Sequence, residues 1–163
     1  MELLKRIQEL LRTKDVTAEI DKDGELTFLA RTGPVSVRMV ISVTDSAVIV
    51  RALIPLFAPV HRRQAMYEAM SLANWQLRFA RFEMDAEDGE LRCRADMPLY
   101  DGVPTDQQLT RLIYCVWNIT ERYAPALVEV MTGQADPAIA IAKAEETRIQ
   151  PARRKQGTDL TVN

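Results

Sequence analysis

Residues 35–54 read Val35-Ser36-Val37-Arg38-Met39-Val40-Ile41-Ser42-Val43-Thr44-Asp45-Ser46-Ala47-Val48-Ile49-Val50-Arg51-Ala52-Leu53-Ile54. Apolar residues recur at every second position on both sides of Thr44-Asp45-Ser46, and a strand puts alternate side chains on opposite faces. Val35, Val37, Met39 and Ile41 share one face of the first run, and Val48, Val50, Ala52 and Ile54 share one face of the second. The short polar turn between them fits an antiparallel pair. Upstream the same period holds. Leu26, Phe28 and Ala30 alternate with Thr27 and Leu29, and Val16, Ala18 and Ile20 alternate with Thr17 and Glu19. Asp21-Lys22-Asp23-Gly24 and Arg31-Thr32-Gly33-Pro34 are the turns, since Asp-Gly tolerates the positive φ of a tight hairpin. An antiparallel meander is expected, its first member a short arm. Pro55 and Pro59 are expected to close it, because proline donates nothing to a ladder.

The flanks have the other period. Leu3, Leu4, Ile7, Leu10 and Leu11 fall at helical spacing, which predicts an amphipathic helix ending near Thr13. A second helix is predicted over about 60–73, with Ala65, Ala69, Leu72 and Ala73 on one side and Asn74 as its stop. Residues 75–84 then read as a strand (Trp75, Leu77 and Phe79 alternating with Arg78, Ala80, Phe82 and Met84). Asp85-Ala86-Glu87-Asp88-Gly89-Glu90 is its hairpin turn, and Leu91, Cys93, Ala95 and Met97 mark the apolar face of the return strand. A loop from Pro98 to Pro104 contains Asp101-Gly102. Thr105 and Gln108 form a capping-box pattern ahead of Leu109, Leu112, Ile113, Val116, Trp117 and Thr120. Pro125 is expected to break that helix near Tyr123, and Leu127, Val128 and Met131 to continue it to Gly133. The fold class that follows is α+β, an antiparallel sheet with packed helices in the order α-β-β-β(-β)-α-β-β-α. After Gly133 the composition changes. Asp136-Pro137 starts a short alanine-rich helix with too little apolar surface to be core, and residues 150–163 are expected to be disordered.

At 163 residues, 47% of them hydrophobic and 27% charged, the chain is long enough to build one core without a staple. Its 21 basic and 23 acidic residues leave a net charge of −2, which argues against a dedicated nucleic-acid binder. Cys93 and Cys115 stand apart, the single histidine is His61, and a four-ligand zinc site needs more than this. Two buried thiols in a reducing compartment are expected. The first residues carry mixed charges without a signal-peptide core, and no run of about 18 apolar residues occurs. A cytoplasmic protein with no membrane partner is expected.

The stretch Leu72-Ala73-Asn74-Trp75-Gln76-Leu77-Arg78-Phe79-Ala80-Arg81-Phe82-Glu83-Met84-Asp85, followed by Asp88-Gly89-Glu90-Leu91, Ala95-Asp96-Met97-Pro98-Leu99 and Gly102-Val103, resembles the YbjN-like bacterial proteins. The resemblance covers about residues 60–130 and implies a domain over 1–133 with an extension over 134–163. It implies a fold similar to class I type III secretion chaperones, α+β proteins that commonly dimerise and bind extended segments of other proteins. The label sensory-transduction regulator, often attached to the family, names no chemistry.

No catalytic, metal or cofactor residue is assigned. Glu83, Asp85, Glu87, Asp88 and Glu90 cluster at a solvated hairpin tip, where carboxylates serve turn formation and solubility. They lack the spaced ligands of a calcium loop. His61-Arg62-Arg63 begins a helix with no nucleophile placed beside it, and no phosphate-loop, dinucleotide or zinc-protease motif occurs. Arg78, Arg81, Arg92 and Arg94 with Trp75 and Phe79 have the residue types of a stacking platform for single-stranded nucleic acid. Cross-strand pairing of those arginines with Glu83 or Asp96 is the favoured reading, and Arg153-Arg154-Lys155 is too short for a binding arm. Trp117 and Tyr123 are expected in the core. The function expected is a non-catalytic protein-binding, chaperone-like module, a homodimer with a protein partner. The alternatives are a nucleic-acid-binding regulator and a small enzyme with an unrecognised site. The partner or dimer contact is assigned to Trp75, Leu77, Phe79, Phe82 and Met84, because both faces of that run carry large apolar residues. A strand adding to a free sheet edge is one physical route to binding.

Overall fold

In the computed structural model, residues 2–32, 35–100 and 102–146 are described. The period-two runs form six antiparallel strands. These are β1 (Glu19–Ile20), β2 (Leu26–Thr32), β3 (Val35–Val43), β4 (Ala47–Phe57), β5 (Arg81–Met84) and β6 (Glu90–Pro98), in the order β1-β2-β3-β4-β6-β5. The meander is as expected, with β1 a two-residue arm. Its second turn includes Gly33 and Pro34, which lie outside the described residues. Pro55 does not end β4. The strand continues to Phe57 past a register shift between Ile54 and Phe57, an irregularity where a missing N–H is tolerated.

The alternation sorts the sheet into two faces. Leu26, Phe28, Ala30, Val37, Met39, Ile41, Val48, Val50, Ala52, Ile54, Leu91, Cys93 and Ala95 are buried on one. Helices α1 (Glu2–Arg12), α2 (Arg63–Gln76) and α3 (Asp106–Met131) pack on this side. The opposite face presents Arg38, Arg51, Arg92 and Arg94, and among the described residues it carries no helix. Thr105 caps α3 as its spacing predicts: Gln108 N–H donates to Thr105 Oγ1 at 3.2 Å, and Thr105 N–H donates to Gln108 Oε1 at 2.8 Å.

Three expectations are corrected. First, α2 runs past Asn74 to Gln76, so Trp75 is helical and β5 starts only at Arg81. Asn74 does not stop the helix. Its carboxamide accepts from Phe82 N–H at 2.8 Å and donates to Phe82 C=O at 3.0 Å, so it stands where a further strand would pair with β5. Second, α3 is continuous through Pro125. Tertiary packing of Tyr123, Ala124, Ala126 and Leu127, all buried, holds the helix across the lost hydrogen bond. Third, α4 (Pro137–Glu146) is core. Asp136 caps it through Oδ1, and Pro137, Ala140, Ile141 and Ala144 are buried against α2 and α3. The expectation for residues 150–163 lies outside the described residues.

Two arginines fasten the layers. Arg62 donates to Val130 C=O near the C-terminus of α3, where a cation suits the free carbonyls. Arg63 reaches the hairpin between β5 and β6, donating to Ala86 C=O at 2.6 Å and Glu87 C=O at 3.2 Å.

Candidate functional site

Surface chemistry is concentrated in three places. The first is the open sheet face. Register places Arg51 opposite Arg94 and Arg94 opposite Arg81, three like charges in a row that would repel if left bare. Carboxylates hold them. Arg81 donates from Nε to Glu83 at 2.7 Å and from Nη2 to Asp96 at 2.7 Å, Arg92 Nε donates to Glu83 at 2.9 Å, and Arg94 Nε to Asp96 at 2.8 Å. Arg51 pairs with Glu25 and donates to Ser42 Oγ at 2.7 Å. Partial burial pushes the Glu83 and Asp96 carboxyls up, but the arginine hydrogen bonds outweigh it and both sit below their ordinary values. The favoured pairing therefore holds for Arg81, Arg92 and Arg94. The stacking platform is not assembled: Trp75 belongs to α2, and Arg78 and Phe79 to the loop before β5, so none of the three interleaves with the face.

The second place is the corner where α4 packs on α2 and the chain leaves α2 for β5. Trp75 is 86% exposed in the last turn of α2, and Phe79 is 77% exposed in the loop. Leu77 is half-buried between them. Beside Trp75 lies a cleft of ≈ 390 Å³, lined by Leu72 and Trp75 of α2 and by Ala138, Ile141 and Ala142 of α4. Of the five residues assigned to contact, Phe82 is corrected. It is 3% exposed and lies edge-on to the buried Tyr123 ring, with centroids 5.7 Å apart. Its side chain faces the core because β5 starts in the phase set by pairing with Cys93. Met84 is half-buried at the end of β5.

The third place is the edge of β2, which sequence reasoning missed. A cleft of ≈ 740 Å³ runs along it, lined by Val16, Phe28, Leu29, Arg31, Arg38 and Trp117 among others. Leu29, read only as the polar-side position of an alternating strand, is 77% exposed. Its apolar type at that position was the signal available. Trp117, expected in the core, is half-buried and donates from its indole N–H to Arg31 C=O at 3.3 Å.

The other candidates have structural surroundings. Burial pushes the Cys93 thiol up to about 12, and Cys115, half-buried, is also raised by burial. Among the described residues no three His, Cys, Asp or Glu side chains are grouped to hold a metal ion. No described helix is long and apolar enough to cross a membrane.

An antiparallel sheet with helices on one face, a charge-paired open face and exposed apolar groups at its borders defines the class as an α+β protein. The chain belongs to the YbjN family, whose model, described as "Putative bacterial sensory transduction regulator", matches residues 3–129. The crystal structure of YbjN from E. coli, described there as "a putative transcription regulator", is similar in fold. It superimposes with a TM-score of 0.53 at 12% identity, over 89% of this chain and 93% of its own. No curated protein matches the chain. The α4 helix begins beyond the family match and yet is packed into the same core.

Proposed function

We propose that this YbjN-family chain is a non-catalytic regulatory module that works by binding a protein partner, as a cytoplasmic homodimer. The observation that carries this reading is the exposure of Trp75 at 86% and Phe79 at 77% on one corner. Aromatic side chains dominate binding energy where they enter a partner, and two of them left in water, Trp75 lining a largely apolar cleft and Phe79 four residues on, favour association. Leu77 and Met84 border the corner, and Phe82 supports it from within the core. The family's description as a regulator agrees with a binding role and names no reaction. Nucleic acid is disfavoured, because Arg81, Arg92 and Arg94 already serve Glu83 and Asp96.

The test is affinity capture from the native cytoplasm with the wild-type chain and with Trp75→Ser/Phe79→Ser, together with light scattering on both. A dimer that retains a defined protein, with retention lost in the double variant at unchanged Tm, is the expected result. Equal retention by both chains would remove the corner as the contact. A monomer that carries only nucleic acid, released by salt, would overturn the reading.

A further inference from the structure

Helices α2 and α4 lie side by side and point the same way. At their starts, Arg62 just before α2 meets Gly133 just before α4: a Cβ on Gly133 would lie 3.7 Å from the Arg62 guanidinium carbon. At their ends, Glu145 accepts from the Tyr123 hydroxyl, the Tyr123 ring packs on Phe82, and Asn74 holds the Phe82 backbone. Between them Leu72 and Trp75 of α2 share the cleft of ≈ 390 Å³ with Ala138, Ile141, Ala142 and Glu145 of α4. The end of α4 therefore delivers the chain to the corner that Trp75 occupies.

The α4 side of this cleft has a period. Ala138, Ile141, Ala142 and Glu145 stand at i, i+3, i+4 and i+7, which is one stripe of a helix. After Glu146 the chain reads Thr147-Arg148-Ile149-Gln150-Pro151. Arg148 and Ile149 fall three and four positions after Glu145, the next two places on the same stripe. In any conformation the segment is within reach, because three residues span at most about 11 Å and Glu145 already lines the cleft.

The two sides also match chemically. Leu72 and Trp75 leave apolar surface in water, and an isoleucine side chain is suited to cover it. The carbonyl ends of α2 and α4 meet at the corner, and their dipoles favour a cation there. α2 has no basic residue in its own last turn, and α4 ends in Glu145-Glu146. Arg148 brings the charge, with a guanidinium of the kind that lies on an indole face.

We propose that residues 147–151 of this same chain dock in the Trp75 cleft, with Ile149 against Leu72 and Trp75 and Arg148 over the indole, and that a protein partner displaces them to reach Trp75. This rests on the protein-binding reading and adds its regulation: the chain carries its own competitor for the contact. A second copy of the chain is the poorer occupant, because a segment tethered a few residues away acts at an effective concentration of the order of millimolar.

The test uses the full chain, labelled for amide and methyl NMR, beside Ile149→Ser and Arg148→Glu. Nuclear Overhauser contacts from the Ile149 methyls to the Trp75 ring are the expected result, with Trp75→Phe separating the Trp75 indole signal from that of Trp117. Ile149→Ser should move the Trp75 signal, leave the Trp117 signal in place and lower the docked-to-free ratio roughly tenfold. Arg148→Glu should lower it roughly two- to fivefold. In capture from the native cytoplasm both variants should retain more partner than the wild type. Absence of the Overhauser contacts, with the Trp75 signal identical in Ile149→Ser, overturns the proposal, as does equal capture by Ile149→Ser and the wild type. A Trp75 signal that moves with protein concentration and ignores Ile149→Ser assigns the cleft to a second copy and overturns it as well. Where any of these failures comes with capture still lost in Trp75→Ser/Phe79→Ser, the binding-module reading stands and only the docked segment falls.

Discussion

Single residues decide how tightly the layers close. Gly89 has φ +84, and a Cβ there would lie 2.4 Å from the Ala58 carbonyl oxygen. Both the conformation and the backbone approach require glycine, so Gly89→Ala should destabilise by about 2–3 kcal/mol in denaturant unfolding. Asn74 satisfies both backbone groups of Phe82. Asn74→Ala leaves them without a partner in a part-buried site and should lower stability by about 1–3 kcal/mol. The sequence marked Asn74 as special but for the wrong reason. An Asn near a helix end suits a cap, and only the position of β5 shows that its amide is used sideways. Cys93, with its thiol pushed up to about 12 by burial, should resist alkylation at pH 8 in the folded chain and react on unfolding.

At the scale of elements, α4 shows how tertiary context overrides composition. Its alanines look too poor in apolar surface to be core, yet small side chains let it lie close to α2 and α3. The hydroxyl of the fully buried Tyr123 donates to Glu145 on this helix. Glu145→Ala should therefore cost about 1–3 kcal/mol, as it strands a buried hydroxyl, whereas Tyr123→Phe, which removes the donor, should be milder; comparison of the two Tm values checks this. The continuity of α3 through Pro125 has the same cause. Proline weakens a helix locally, but the buried residues on either side fix the direction of the chain.

For the molecule as a whole, the open face makes stability depend on acid. The Glu83 and Asp96 carboxyls sit below their ordinary values in the folded chain, so the unfolded chain takes up protons first as the pH falls. Their contribution is fully present above the ordinary carboxylate range and is lost as the pH drops through the depressed folded values. Tm should fall on acidification below about pH 4.5, and Asp96→Asn should flatten that dependence. Salt should have a modest effect on this pairing, since the groups are partly shielded from solvent.

The sequence by itself determined the meander, the two-faced β6, the capping box of α3 and the start of α4, because period and turn chemistry act over neighbouring residues. It also pointed to the family, through residues 72–85 and those that follow, and it named Trp75 and Phe79. Which of the named residues face water was decided only by the tertiary structure. Extending α2 by a turn moves Trp75 off the sheet, and the register with β6 turns Phe82 inward. The open edge of β2 was invisible for the same reason: an unpaired edge has the same alternation as a paired one, and only the path of the arm past Gln8 and Leu11 leaves Leu29 without a strand on its β1 side.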